Sequence, residues 1–206
     1  STVAKRDIAP GEWQTIRSYN GISSVIPSKD KVYVVANGGM FIYDKKTKEV
    51  KPMSTLDGLS PSDIEMVEYV ESTKTLFVIH SDMTIDLVVD GVTINDESIK
   101  DSEISGKKVN SLKVDGDYVY TSLDAGIVVY NTKKREVLDT YVVGDSGAYE
   151  AVYQTVVLDN DIYALMADKN DCTKRKLKIC SSGSNANDFS TWKTVPLPLE
   201  CNEGDS

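Results

Sequence analysis

Residues 43–50 read Tyr-Asp-Lys-Lys-Thr-Lys-Glu-Val, and residues 130–137 read Tyr-Asn-Thr-Lys-Lys-Arg-Glu-Val. Each copy closes an apolar–aromatic run, passes through polar residues and resumes at a valine, the pattern of strand, turn and strand. The residues before them correspond too: Gly39-Met-Phe-Ile-Tyr43 and Gly126-Ile-Val-Val-Tyr130. The offset of 87 positions is twice a shorter repeat. Apolar–aromatic pairs mark that repeat at Val32-Tyr33, Leu76-Phe77, Val119-Tyr120 and Ile162-Tyr163, with the aromatic members 44, 43 and 43 residues apart. A fixed period of this size, filled with short β-type segments, is that of propeller blades.

Four units can be laid on the period. The first runs through Ile22–Pro27, Lys31–Ala36, Met40–Tyr43 and Val50–Met53; the second through Ile64–Tyr69, Thr75–Ile79, Thr84–Val89 and Val92–Ile94. The third takes Val109–Val114, Tyr118–Thr121, Gly126–Tyr130 and Val137–Tyr141; the fourth takes Val152–Leu158, Asp161–Met166, Lys176–Cys180 and Trp192–Val195. β-Branched and aromatic residues fill these segments, and Asp, Asn, Gly and Lys fill the gaps. No sustained helical period occurs; Gly58–Ile64 has room for a single turn begun by Ser60 ahead of Pro61. The expected fold class is all-β, a β-propeller of four-stranded antiparallel blades with about four to five blades present. It is read as one domain over 1–206, with blades at about 22–53, 64–94, 109–141 and 152–195.

Trp13-Gln-Thr-Ile16 resembles Trp192-Lys-Thr-Val195 and reads as the outer strand of a further blade. In a closed four-bladed ring those two strands would compete for one place. Open blade faces also expose large apolar side chains, each worth about 1.5–3 kcal/mol when buried. The chain is therefore expected either to close a small irregular ring of about five blades or, the favoured reading, to be a piece of a longer polypeptide.

An apolar fraction of 40% and a charged fraction of 27% suit a globular chain, and no apolar run nears the ~18 residues that span a bilayer. Net charge is −9, so nucleic acid, which needs clustered Lys and Arg, is not expected as a partner. The basic runs Lys45-Lys46, Lys133-Lys134-Arg135 and Lys174-Arg175-Lys176 fall in expected turns and read as solvated tips, with an anion or acidic glycan as the alternative use. The three cysteines, Cys172, Cys180 and Cys201, form no zinc-type doublet; a Cys172–Cys180 bridge across a hairpin is one reading and unpaired thiols the other.

A reaction centre is not visible. His80, the one imidazole, ends an apolar strand and reads as structural. Zinc lacks ligands, and the expected inner strands Val109–Val114 and Val152–Leu158 are nearly free of the paired carboxylates a glycosidase needs. Asp63 and Asp159 sit at strand edges, where turn roles suffice. Asp168–Asp171 and Asp57–Asp63 offer oxygens to calcium without an EF-hand pattern. No catalytic residue, metal or cofactor is assigned. Tyrosine is the remaining source of binding: Tyr33, Tyr120 and Tyr163 read as blade packing, whereas Tyr141, Tyr149 and Tyr153, flanking Gly144–Gly147, are surface-binding candidates.

Leu56-Asp-Gly-Leu-Ser-Pro-Ser-Asp-Ile64, Thr75–Leu87, Lys107-Lys-Val-Asn110 and Gly126–Tyr141 resemble the N-terminal propeller of PorZ-type proteins, surface components of the type IX secretion system of Bacteroidota. The resemblance covers roughly residues 11–167. The Asp-Gly-Leu step also echoes the two-component-regulator propellers, but Tyr33-Val-Val-Ala36 departs from their Trp-Ile-Gly-Thr-type strand. The first resemblance implies a non-enzymatic envelope scaffold in the periplasm or at the cell surface, handling secretion-complex proteins and/or anionic lipopolysaccharide or another glycan. The second implies a periplasmic glycan-sensing propeller of a hybrid two-component system.

Overall fold

The computed structural model describes residues 22–102, 108–166, 171–172 and 175–197. They form sixteen strands in four antiparallel sheets, each a simple meander. The first sheet is β1 (Ile22–Pro27), β2 (Lys31–Ala36), β3 (Gly39–Asp44) and β4 (Val50–Met53). The second is β5 (Ile64–Val70), β6 (Thr75–His80), β7 (Ile85–Val89) and β8 (Val92–Asp96). The third is β9 (Val109–Asp115), β10 (Tyr118–Leu123), β11 (Gly126–Asn131) and β12 (Glu136–Tyr141). The fourth is β13 (Val152–Leu158), β14 (Asp161–Met166), β15 (Lys176–Cys180) and β16 (Trp192–Pro196). The expected propeller architecture of four-stranded blades is present, and the candidate strand Trp13–Ile16 lies outside the described residues.

The repeated sequence becomes a repeated turn. Asp44 Oδ1 accepts from the amides of Lys46 and Thr47 at 2.8 and 3.2 Å. Asn131 Oδ1 accepts from those of Lys133 and Lys134 at 3.1 and 3.0 Å. Both turns close through a left-handed residue, Lys48 (φ 63°) and Arg135 (φ 60°). The Asp/Asn side chain substitutes for a backbone acceptor, which is why that position tolerates either residue. Gly126 is demanded by geometry: at φ 137° any Cβ would lie 2.3 Å from the Tyr141 carbonyl oxygen.

A second repeat lies in the backbone. The first strand of every sheet carries a β-bulge one residue from its start, leaving Ser23, Glu65, Asn110 and Tyr153 unpaired in register. A bulge re-aims the inserted side chain. Asn110 uses this to donate to Asp124 Oδ1 at 2.8 Å and to the Val152 carbonyl at 2.9 Å, tying the third sheet to the fourth.

The strands β1, β5, β9 and β13 pack in succession, and three apolar clusters fill the spaces between consecutive sheets. Phe77, fully buried, meets Tyr130 edge-on with ring centroids 5.4 Å apart. The Tyr130 hydroxyl crosses the same interface to donate to Asp96 at 2.5 Å. Tyr33 and Tyr120 are buried as blade packing requires. Among the described residues no comparable packing joins the fourth sheet to the first. Val25 and Val50 of the first sheet and Leu158 of the fourth are 61–63% exposed.

Three expectations need correction. The helical turn is at Thr55–Asp57, capped by Ser54 in a reciprocal box with Asp57, because Ser60 is committed to Asp86. Cys172 is disulfide-bonded but not to Cys180, whose thiol is free and buried against Trp192. Lys176 is no solvated tip: its ammonium lies 2.6 Å from Asp145 and 3.0 Å from Glu150, with only 13% of the side chain exposed.

Phe77→Ala is expected to lower unfolding free energy by about 3–5 kcal/mol, whereas Tyr149→Ala, on the exposed loop, should change it by less than about 0.5 kcal/mol. Urea titration followed by tryptophan fluorescence measures both.

Candidate functional site

The loop carrying Asp-Gly-Leu-Ser-Pro-Ser-Asp reaches the second sheet at a buried ionic centre. His80, at the end of β6, and Asp86, on β7, are both 0% exposed, and His80 Nε2 lies 2.6 Å from Asp86 Oδ2. The other ring nitrogen, Nδ1, faces the Ser62 carbonyl at 2.8 Å. With Asp86 ionised, both neighbours of the ring accept, and the imidazolium is the form that satisfies both. Asp86 takes three further hydrogen bonds, from the Ser60 amide and hydroxyl, each at 2.7 Å, and from Asn95 Nδ2 at 2.6 Å.

Burial opposes both charges, and the hydrogen bonds override it. Those from His80, Ser60 and Asn95 hold the Asp86 carboxyl below its usual range. Those from His80 to Asp86 and to the Ser62 carbonyl hold the imidazole above its usual value. Ser, His and Asp stand together here, but in the wrong order for acyl transfer. The Ser60 hydroxyl donates to the carboxylate rather than to the imidazole, and the imidazolium has no free lone pair to take its proton. The centre is a lock that holds the loop on the sheet. His80 is structural, as its strand-end position suggests. Asp86 escaped sequence reading, although a lone acid inside the apolar run Ile85–Val89 is the signal that marks it.

The three tyrosine candidates separate. Tyr141 is 8% exposed and packs on Trp192, so its ring is core, while Tyr149 and Tyr153 are 61% and 48% exposed. The loop bearing Tyr149 is clamped by Asp145, which receives Lys176 and Lys178 at 2.6 Å each; those ammonium groups hold its carboxyl at about 2. Among the described residues no cluster of His, Cys, Asp and Glu is placed to hold a metal ion, and no helix is long and apolar enough to cross a membrane.

Among the described residues, hollows open between sheets. One, of about 300 Å³, lies between the second and third sheets and is lined by Lys133 and Arg135 of the repeated turn, by Asp117 and by Ser72, Thr73, Thr75 and Thr132. Another, of about 510 Å³, lies between the first and second.

Residues 32–193 match the family model described as the N-terminal β-propeller domain of PorZ of the type IX secretion system. The chain belongs to this family. A solved structure of PorZ from Porphyromonas gingivalis, described as an essential bacterial surface component of that system, superposes with a TM-score of 0.77 at 24% identity, over 91% of this chain and 24% of that one. This PorZ-type chain thus spans about a quarter of the length of that relative. The extracellular domain of BT4673 from B. thetaiotaomicron gives a TM-score of 0.61 at 12% identity, over 90% of this chain and 24% of that one. Apo AztD from Citrobacter koseri gives 0.56 at 13%, over 85% and 46%. These last two show a common fold. The sequence has no match among curated proteins.

The ionic lock makes a signed prediction. The contribution of His80 is complete below its unfolded value of 6.5 and is lost as pH rises through its raised folded value. That of Asp86 is complete above 3.8 and is lost as pH falls through its lowered folded value. Stability by chemical denaturation should therefore hold a plateau between 3.8 and 6.5 and decline on either side. His80→Ala should cost about 3–5 kcal/mol, because it leaves a buried carboxylate unpaired, and should remove the alkaline decline.

Proposed function

We propose that this PorZ-type propeller is a non-enzymatic scaffold and binding module of a type IX secretion-type surface complex, at the outer face of the cell envelope. Family membership over residues 32–193 carries the reading. The similar protein from P. gingivalis is a surface component of that system, and a propeller with a buried lock in place of a reaction centre suits a holding role. Its partners are other proteins of the complex and anionic lipopolysaccharide. The smaller hollow supports the second partner: Lys133 and Arg135 outnumber Asp117 in its lining and give a net negative chain a locally cationic rim for a sugar acid or phosphate.

The test is capture on the immobilised domain from a solubilised outer-envelope fraction, with mass spectrometry of bound proteins and glycolipids. Secretion-machinery proteins and anionic lipopolysaccharide should be retained. Lys133→Glu with Arg135→Glu should weaken lipopolysaccharide retention by about tenfold while leaving protein capture unchanged. Recovery of soluble oligosaccharides alone would overturn the reading in favour of a sensor.

A further inference from the structure

The larger hollow is used by nothing described so far. Its volume of about 510 Å³ lies within the range of roughly 300–1,000 Å³ that ligand sites occupy. Its floor is apolar: Ile42, Met53 and Val88 line it at the half-buried margin of the core between the first two sheets. Its charges are sorted by wall. On the first-sheet side stand Lys29, Lys31 and Lys51 against Asp30 alone. On the opposite side stand Asp57, Glu71 and Asp90 against Lys74 alone. Asp57 belongs to that side because Thr93 of β8 donates to its carbonyl at 2.9 Å. The ion pairs these groups make, Lys46–Asp30 at 3.9 Å and Lys51–Glu49 at 3.4 Å, are solvent-exposed, and such pairs are weak competitors for a ligand.

Tyr33 and Tyr69 also line the hollow, but they stack on each other, with centroids 6.1 Å apart and planes 22° from parallel. Tyr33 is only 8% exposed. A sugar ring needs an open aromatic face, and these two rings give much of theirs to each other. An apolar floor between walls of opposite charge fits an extended polypeptide better: an apolar side chain enters the floor while flanking charges meet the walls.

We propose that the cleft between the first and second sheets docks an extended segment of a partner protein, an apolar pair flanked by an acid on the Lys31–Lys51 wall and a base on the Glu71–Asp90 wall. The partner class rests on the scaffold reading above. The site does not depend on lipopolysaccharide binding, because the two hollows are lined by different residues.

The test is fluorescence anisotropy with the 206-residue chain. The probes are labelled peptides Gly-Gly-Glu-X-X-Lys-Gly-Gly, X being Leu, Val, Phe or Tyr, with all-acidic and all-basic counterparts. At least one mixed-charge peptide should bind about tenfold more tightly than either counterpart. Lys31→Glu with Lys51→Glu should abolish that preference and turn it toward the all-basic peptide; Glu71→Lys with Asp90→Lys should turn it toward the all-acidic one. All four positions are exposed, so an unchanged thermal midpoint certifies folding. Equal binding of the three charge classes, indifference to both wall reversals, or no binding of any mixed-charge peptide would overturn the proposal. So would saturable binding of cellohexaose that the wall reversals leave intact while no peptide binds. Lipopolysaccharide capture is scored separately, so failure here leaves the scaffold reading to its own test.

Discussion

A four-stranded sheet with apolar residues on both faces has no stable existence in water until each face is covered, and this constraint organises the molecule. Successive sheets cover one another: Phe77, Ile85 and Leu87 of the second meet Val119, Val128 and Tyr130 of the third, and Tyr120, Ile127 and Val129 of the third meet Val152, Ala164 and Met166 of the fourth. Burying each such side chain contributes about 1.5–3 kcal/mol, so the interfaces outweigh any single polar contact. Polar bonds that cross them, such as Tyr130 to Asp96 and Asn110 to the Val152 carbonyl, set the angle and register of sheets already driven together.

The His80–Asp86 centre shows how a polar group is kept inside such a stack. A buried ion pair is a weak source of stability by itself because desolvation consumes most of the attraction. Here every acceptor position is occupied, by Asn95 of β8 and by partners from the loop between the first and second sheets. The Asp-Gly-Leu-Ser segment is thereby held in one conformation. This gives a physical reason for the serine at position 60 that involves no reaction. It also places chemically suggestive residues where substrate cannot reach.

The period was legible because blade packing repeats, and repeating side chains leave a trace every 43 or 44 residues. The turn pair at 43–50 and 130–137 was legible because one short polar side chain closes it locally. What escaped reading is non-local. The Ser60 hydroxyl looked like a helix start because residues 58–64 alone do not contain its acceptor, which lies 26 positions away on β7. Cys172 and Cys180 could be read as a pair because they are neighbours in sequence, whereas β15 turns Cys180 into the core. Tyr141 was rightly placed at a strand end but looked like a surface residue, yet it packs against Trp192, 51 positions on. The bulge that exposes Tyr153 alters register without altering composition.

By itself the sequence determined the all-β class, the blade period and the positions of the strands in the four described sheets, since each depends on local propensity. Only the tertiary structure decided which polar residues are buried together, which tyrosines are core, and where opposite charges face each other across a cleft. Those properties come from side chains on different sheets, whose distances are set by packing rather than by spacing along the chain.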